Sequence, residues 1–393
     1  MRLLFAPPLL CAALLDSGQA LAQASPPDST ASRPTGQMGW QSCQAMTGEP
    51  SAQLQCFQDW AATQVAPPAQ ALPAMPAAPV PTAIAPQPAP PPGNDSANSK
   101  LAGCRNDRYS ALSRFWELQR GSDCDTFSLR GYRPISLAVV GSDSVNTQPS
   151  SPTAGHTALT SQPYSRNETK IQLSIRTKIA KGLLTRGTGD DDNHDSLWFG
   201  YTQQSYWQLF NGNLSRPFRN TDHEPEVIYI YPHQIPLAGG WNYRLSGLGV
   251  VHQSNGQTLP LSRSWNRVYL MGAAEKILSP TSSLNLQGKV WQRLKESSGN
   301  DDNPGIENYI GRAEVAGSWQ MNQTDSLGLT LRHSLTSQAR GSARVDLMVA
   351  PGSASRYTGL RYHVQLFSGY GDSLLDYNRK RTVLSVGLSL VDW

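Results

Sequence analysis

The sequence predicts an all-β protein, a transmembrane antiparallel β-barrel of about twelve strands behind a Pro/Ala-rich, disulfide-bearing N-terminal extension. Three observations predict it. From Tyr132 onward, apolar and polar residues alternate with period two in segments separated by turn residues. Mean hydropathy is −0.42, too low for a helical membrane protein but ordinary for a barrel, in which only every second strand residue faces lipid. The last alternating segment runs straight to an aromatic residue, Trp393.

Residues 1–22 carry Arg2, an apolar core from Leu3 to Leu15 and Ala20-Leu21-Ala22, the pattern of an export signal cleaved before Gln23. Cys11 follows Leu9-Leu10 rather than a small residue, which argues against a lipid anchor there. The other cysteines form two local pairs, Cys43 with Cys56 and Cys104 with Cys124, as an oxidising periplasm allows. Four cysteines permit three connectivities, and local pairing is the expected one. Residues 23–100 are Pro/Ala-rich, densest from Pro67 to Pro92, a composition that cannot bury a core and reads as a periplasmic extension. Within it, residues 40–64 place Leu54, Phe57, Trp60 and Ala61 at roughly helical spacing, a small disulfide-tied packing element. Residues 101–130 hold the second cysteine pair with Tyr109, Leu112, Phe115, Trp116 and Leu118 at helix-like spacing, a segment suited to plugging or capping a barrel mouth. The net charge of +4 survives removal of the signal, and no basic block is dense enough for nucleic acid.

The barrel is expected over residues 131–393. Its clearest strand is 169–180, where Ile171, Leu173, Ile175 and Ile179 alternate with Lys170, Gln172, Ser174, Arg176 and Lys178, one face for lipid and one for a polar interior. The other candidates lie near 132–141, 197–210, 226–233, 243–254, 265–277, 283–294, 307–320, 326–335, 343–350, 358–368 and 381–393. An even count places both barrel ends on the periplasmic side. A soluble sandwich would also alternate, but its outward face would be the polar one. The terminal aromatic is similar to the signal by which outer-membrane barrels are recognised for assembly.

The chemistry is expected at Val251-His252-Gln253-Ser254-Asn255-Gly256 and at Ser262-Arg263-Ser264-Trp265-Asn266-Arg267. On an extended strand, residues two apart share a face, so the His252 imidazole and the Ser254 hydroxyl stand side by side. A following antiparallel strand would bring Asn266 beside His252, where its amide oxygen accepts a ring N–H and sets the tautomer. The bland alternative for a His-x-Ser pair is two surface residues. His252 and Ser254 share parity with Leu248 and Val250, and Asn266 with Val268 and Leu270, so the triad would sit on the lipid-facing wall.

His-x-Ser-Asn-Gly followed by Ser-Arg-Ser-Trp-Asn-Arg resembles the active-site signature of the outer-membrane phospholipase A family, calcium-dependent lipid hydrolases built on a β-barrel. Further blocks stand in the family's order: Tyr201 to Leu209, Arg216 to Arg219, Glu224-Pro225, Asp301 to Pro304 and Gly369 to Asn378. The resemblance implies a phospholipase A1/A2 of the outer membrane that cleaves acyl esters of phospholipids. Ser254 would be the nucleophile, His252 the general base and Asn266 its orienting residue, a neutral Asn being a family trait. It also implies Ca²⁺ acting as a Lewis acid beside the oxyanion position at Gly256. Main-chain carbonyls of Gln257 and of Ser215 of the partner subunit would hold the ion, with Ser262 and water. The family usually has Arg where Gln257 stands, which matters little for a carbonyl ligand.

Asp302 matches a residue of a second, monomer-type calcium site whose partner aspartate is Leu259 here. The alternative reading of Asp301-Asp302-Asn303-Pro304 is a solvated loop. Gln203 would point a bare amide into lipid, which is costly without a partner. In the family the matching glutamine pairs across a calcium-dependent homodimer, the active form; a lone glutamine at headgroup depth is the other reading. Asp222-His223 replaces the family's Asn-Tyr before Glu-Pro. Gly371-Asp372-Ser373-Leu374 mimics an unrelated lipase motif but lies among the last barrel strands, and Ser254 lacks the nucleophile-elbow glycine pattern. Two other functions remain open at this level: a different outer-membrane acyl hydrolase such as a lipid A deacylase, and a non-enzymatic porin or scaffold.

Overall fold

The computed structural model describes residues 40–44, 50–63, 103–106, 108–185, 194–297, 299, 301–352 and 359–390. The export signal at 1–22, the densest Pro/Ala run at 67–92 and Trp393 lie outside the described residues. The chain divides into two units, Met1–Gln87 and Pro88–Trp393. In the first, helices Trp40–Gln44 and Pro50–Thr63 are tied by the Cys43–Cys56 disulfide, and Gln53 Nε2 donates to the Cys43 carbonyl at 3.2 Å. The second disulfide is Cys104–Cys124, so both pairings are the local ones.

The second unit is the barrel. A three-residue strand β1 (Leu129–Gly131) precedes β2 (Ile135–Ser142), β3 (Asn167–Lys181), β4 (Ser196–Trp207), β5 (Asn220–Leu237), β6 (Trp241–Ser254) and β7 (Ser264–Ser279). The remainder are β8 (Ser282–Leu294), β9 (Ala313–Gln320), β10 (Ser326–His333), β11 (Gly341–Val349), β12 (Leu360–Gly369) and β13 (Arg381–Leu390). Strands β3 to β13 pair antiparallel with their sequence neighbours, β13 pairs with β2, and β2 with β3, closing a twelve-strand barrel. β1 adds to β3 beyond the reach of β2.

Alternation sorts each strand's side chains into two environments. On β3, Lys170, Ser174, Arg176 and Lys178 are buried inside the barrel, while Leu173 is 42% exposed on its outer wall. Leu248, Val250, Leu270, Leu286 and Val290 continue that outer apolar band. Such a contiguous band in water would be an aggregation site; in a bilayer it is the surface that matches lipid. No described helix is long and apolar enough to cross a membrane.

The strand directions put the start of β2 and the end of β13 at one end, with short turns such as Ala238–Gly240. The long connections 143–166, 208–219, 255–263, 295–312 and 370–380 gather at the other. The near mouth is filled by the pre-barrel segment. Trp116 and Leu118 pack against Trp198, Ile228, Ile230 and Leu245 of the inner wall. Charge locks the plug in place, since Glu117 takes Arg130 at 2.5 Å and also Lys178, which bridges to Asp123. The helical spacing of 109–118 is realised only over Ala111–Trp116, because Glu117 turns left-handed (φ 52°, ψ 48°) to deliver its carboxylate to those cations.

Similarly, the alternation expected from 307 begins only at Ala313. Glu307–Ile310 forms a helical turn, and Gly311 at φ 125° takes a conformation that strains any other residue. A cavity of about 400 Å³ remains between plug and loops, with Lys170, Gln204, Asp222 and Asp346 beside Phe115 and Leu374 on its wall.

Candidate active site

The site rests on the β6–β7 hairpin. The ladder pairs His252 with Asn266 and Ser254 with Ser264, so the imidazole and the amide are direct cross-strand neighbours on the outer face. His252 Nδ1 lies 2.8 Å from Asn266 Oδ1. An amide oxygen can only accept, so Nδ1 carries the proton and Nε2 keeps its lone pair. Asn266 Nδ2 in turn donates to Glu296 Oε1 at 2.8 Å. Leu248 (47% exposed), Val250 (52%) and Leu270 (60%) share this face, which places the group at the lipid-facing rim of the long-loop end. Ser254 stands two residues along β6 from His252, half-buried; no hydrogen bond joins Ser254 Oγ to His252 among the described residues. Such bonds are commonly long before substrate binds.

Residues between the site positions point inward and hold the hairpin from behind. Gln253 Oε1 accepts from Trp265 Nε1 at 2.9 Å and from Arg267 Nη1 at 3.0 Å. Arg267 lies over the Trp265 ring, 4.0 Å from its centroid, and pairs with Glu224, which Arg133 also binds. The outer-face residues His252 and Asn266 therefore stand on a cross-braced inner layer.

The β6–β7 connection is organised by Asn255, 3% exposed. Its Oδ1 accepts from the Arg263 and Gln257 amides, and its Nδ2 donates to the Leu261 carbonyl at 2.8 Å. Gly256 follows at φ 61°, where a side chain would be strained. The Gln257 side chain donates through Nε2 to the Arg219 carbonyl and to Asn220 Oδ1, which ties the turn to the start of β5.

Ser262 and Asp302 come together: Ser262 Oγ donates to Asp302 Oδ2 at 2.6 Å, and Ser264 Oγ approaches the same oxygen at 3.3 Å. His156 Nε2 lies 3.0 Å from Asp302 Oδ1. The segment is not the solvated loop of the alternative reading. Asn303 is fully buried and accepts the Ser264 amide, Arg293 pairs with Asp301 at 2.6 Å, and Ser151 and Thr153 bind the Asp302 and Asp301 carbonyls. The donor oxygens suit a hard cation, but Leu259 adds none and is 62% exposed, and His156 already holds one carboxylate oxygen. The residues therefore fit an ion at Ser262 and fit poorly a second one centred on Asp302.

Ser215 lies on the 208–219 connection, where its carbonyl accepts Trp207 Nε1 at 2.8 Å. That connection is anchored by Arg219, completely buried between Glu168 (2.6 Å) and Asp376 (2.9 Å), with Arg381 also on Asp376 at 2.9 Å. Burial alone would raise the Asp376 carboxyl; Arg219 and Arg381 outweigh it and hold it below the usual carboxylate range. The blocks Arg216–Arg219 and Gly369–Asn378 thus meet as scaffold. Gln203, on the outer face of β4, is not bare. Tyr201 Oη and Ser205 Oγ each lie 3.3 Å from its amide. One ladder row runs from Gln203 through His223 to Ser254. His223 binds Tyr201 Oη through Nδ1 at 2.7 Å, and its Nε2 lies 3.7 Å from the point where a Gly256 Cβ would stand. Glu296, Asn255 and His223 were not singled out as site residues from sequence; for His223 the signal was its parity with Ser254 across the ladder.

Comparison with known proteins places this chain among relatives. The family model described as phospholipase A1 matches residues 112–390. A Neisseria meningitidis serogroup B protein named for the same family is 35% identical over 305 residues, 76% of this chain and 75% of that one. The phospholipase A1 of Escherichia coli K12 is 31% identical over 227 residues, 58% of this chain and 71% of that one. Among solved structures, the outer membrane phospholipase A from Escherichia coli has a TM-score of 0.56 at 28% identity, covering 68% of this chain and 99% of that one. The Salmonella typhi outer membrane phospholipase dimer with bound calcium has a TM-score of 0.56 at 30% identity, over 68% and 93%.

Proposed function

Since the chain belongs to the phospholipase A1 family and its barrel is an outer-membrane one, we propose that Ser254, His252 and Asn266 hydrolyse acyl esters of membrane phospholipids from the barrel's lipid-facing wall. The observation that carries this is the 2.8 Å contact of His252 Nδ1 with Asn266 Oδ1 on the same face as Leu248 and Val250. A phospholipid in the bilayer plane meets the nucleophile without leaving the lipid.

With Nδ1 protonated and held by Asn266, His252 Nε2 takes the Ser254 proton as Oγ attacks the ester carbonyl carbon. The carbonyl oxygen becomes an oxyanion beside the Gly256 main chain, whose N–H is the protein donor for it. Collapse breaks the bond to the glycerol oxygen, which leaves with the proton from His252 as lysophospholipid. Water, deprotonated by His252, then attacks the acyl–Ser254 ester, releasing fatty acid and restoring Ser254. A Ca²⁺ ion, when bound by Ser262, the Gln257 carbonyl and Ser215 of the partner subunit, supplies positive charge at the oxyanion. The calcium-bound Salmonella dimer supports this assignment. Gln203 is read as a contact of that homodimer, Asp302 as support for Ser262 rather than the centre of a second ion site. Residues 1–22 are read as the export signal, 23–100 as a periplasmic extension and 101–130 as the plug of the 131–393 barrel.

The test is fatty-acid release from detergent-dispersed phosphatidylethanolamine by the folded protein, with calcium and with chelator, beside Ser254→Ala. We expect calcium-dependent release that falls by about 10³-fold or more in the variant. Release surviving in Ser254→Ala overturns the nucleophile; release surviving chelation removes calcium from the reading.

A further inference from the structure

Resting on the triad reading above, we propose that Glu296 is a fourth member of the relay, a positioning residue that fixes the Asn266 amide in the one orientation compatible with a basic His252 Nε2. A primary amide presents an acceptor and a donor in nearly the same shape, and a half-turn exchanges them. Turned the wrong way, Asn266 would offer N–H to His252 Nδ1. The imidazole would then have to carry its proton on Nε2, the tautomer unable to receive the Ser254 proton. The His252 contact cannot prevent that turn by itself, because each amide orientation is matched by one of the two ring tautomers.

An ionised carboxylate behind the amide breaks this symmetry, since it accepts and never donates. Glu296 Oε1 takes the Asn266 Nδ2 hydrogen at 2.8 Å, opposite the 2.8 Å contact to His252. Its position follows from the ladder. Asn266 pairs with Leu294 at the end of β8, and Glu296 lies two residues further on, so an extended continuation returns its side chain to the same outer face. The arrangement also supplies charge that a neutral Asn lacks: the carboxylate polarises the amide, and through it the imidazolium that forms as Ser254 attacks. It accounts for a neutral residue at 266, because an aspartate there would confront Glu296 with a like charge at hydrogen-bond distance.

A merely structural Glu296 would only pin the 295–312 loop to the rim, so the test uses readouts that pinning would not move. We would measure kcat and KM for Glu296→Ala, Glu296→Gln, Asn266→Asp and the double variant Asn266→Asp/Glu296→Gln, each shown folded by heat-modifiable migration. Glu296→Ala should lower kcat by about 10- to 100-fold with KM nearly unchanged, a part of the roughly 10²- to 10⁴-fold that a positioned general base supplies. Glu296→Gln, whose own amide can turn to accept or donate and which carries no charge, should recover only part of that loss. Asn266→Asp should be impaired, and the double variant faster than Asn266→Asp alone, because the glutamine N–H can now donate to the new carboxylate. A wild-type kcat in Glu296→Ala, or a double variant no faster than Asn266→Asp, overturns the proposal. Ser254→Ala run alongside separates the two levels: activity in it defeats the triad itself, whereas an inactive Ser254→Ala beside an unimpaired Glu296→Ala defeats only the role of Glu296.

Discussion

The two ends of the barrel combine apolar burial and buried charge in different proportions. At the near end a plug buries Trp116 and Leu118 against Trp198, Ile228 and Ile230 and is cross-linked by Cys104–Cys124. At the far end the loops are knitted by buried charge and amide, Arg219 between Glu168 and Asp376, Asn255 across its own turn, Asn303 under Ser264. Apolar burial is non-directional and tolerates small shifts, which suffices to seal a mouth. Hydrogen-bonded ion networks fix distance and angle, which is what a catalytic hairpin requires. Stability and positioning are thus separated along the barrel axis.

That separation can be broken by substitution. The largest effect is expected from Arg219→Ala, which leaves the buried carboxylates of Glu168 and Asp376 with Arg381 as their remaining cation among the described residues. Removing one partner of such a network typically costs about 3 to 5 kcal/mol, and phospholipid hydrolysis should fall with it as the 208–219 connection releases Ser215 and Gln257. Retained activity in a destabilised Arg219→Ala would show that the network does not position the site. Trp116→Ala, read by thermal unfolding and by kcat, sharpens the contrast. The barrel should lose about 3 kcal/mol or more, the usual cost of a tryptophan-sized core deletion, while kcat at a permissive temperature stays within about twofold. A large fall in kcat would mean that the two ends are coupled through the inner wall.

Much of this was legible in the sequence, for definite reasons. Alternation is local, so β3 and β7 could be delimited to within a few residues, and the His252–Asn266 pairing follows once a short connection joins two strands of known parity. The limits are equally physical. Tyr309 continued the alternating pattern, yet Gly311 and the turn Glu307–Ile310 delay β9 to Ala313. Glu296 is not legible because it lies beyond the end of β8, where period two no longer says which way a side chain points. His156 meets Asp302 across 146 residues, and Arg219 meets Asp376 across 157, contacts that only barrel closure brings about. The motif at Arg216–Arg219 could be seen as a block, but its role as buried scaffold required the partner carboxylates.

The proposed mechanism turns on an activated serine on the lipid-facing wall. The most direct measurement is intact-mass analysis of the folded protein after exposure to a lipid-tailed fluorophosphonate, which phosphonylates a serine only where a neighbouring base draws off its proton. A single adduct mapped to Ser254, absent from Ser254→Ala and slowed by at least about 10²-fold in His252→Ala, is the predicted result. Labelling at another residue, or equal labelling in His252→Ala, would contradict it.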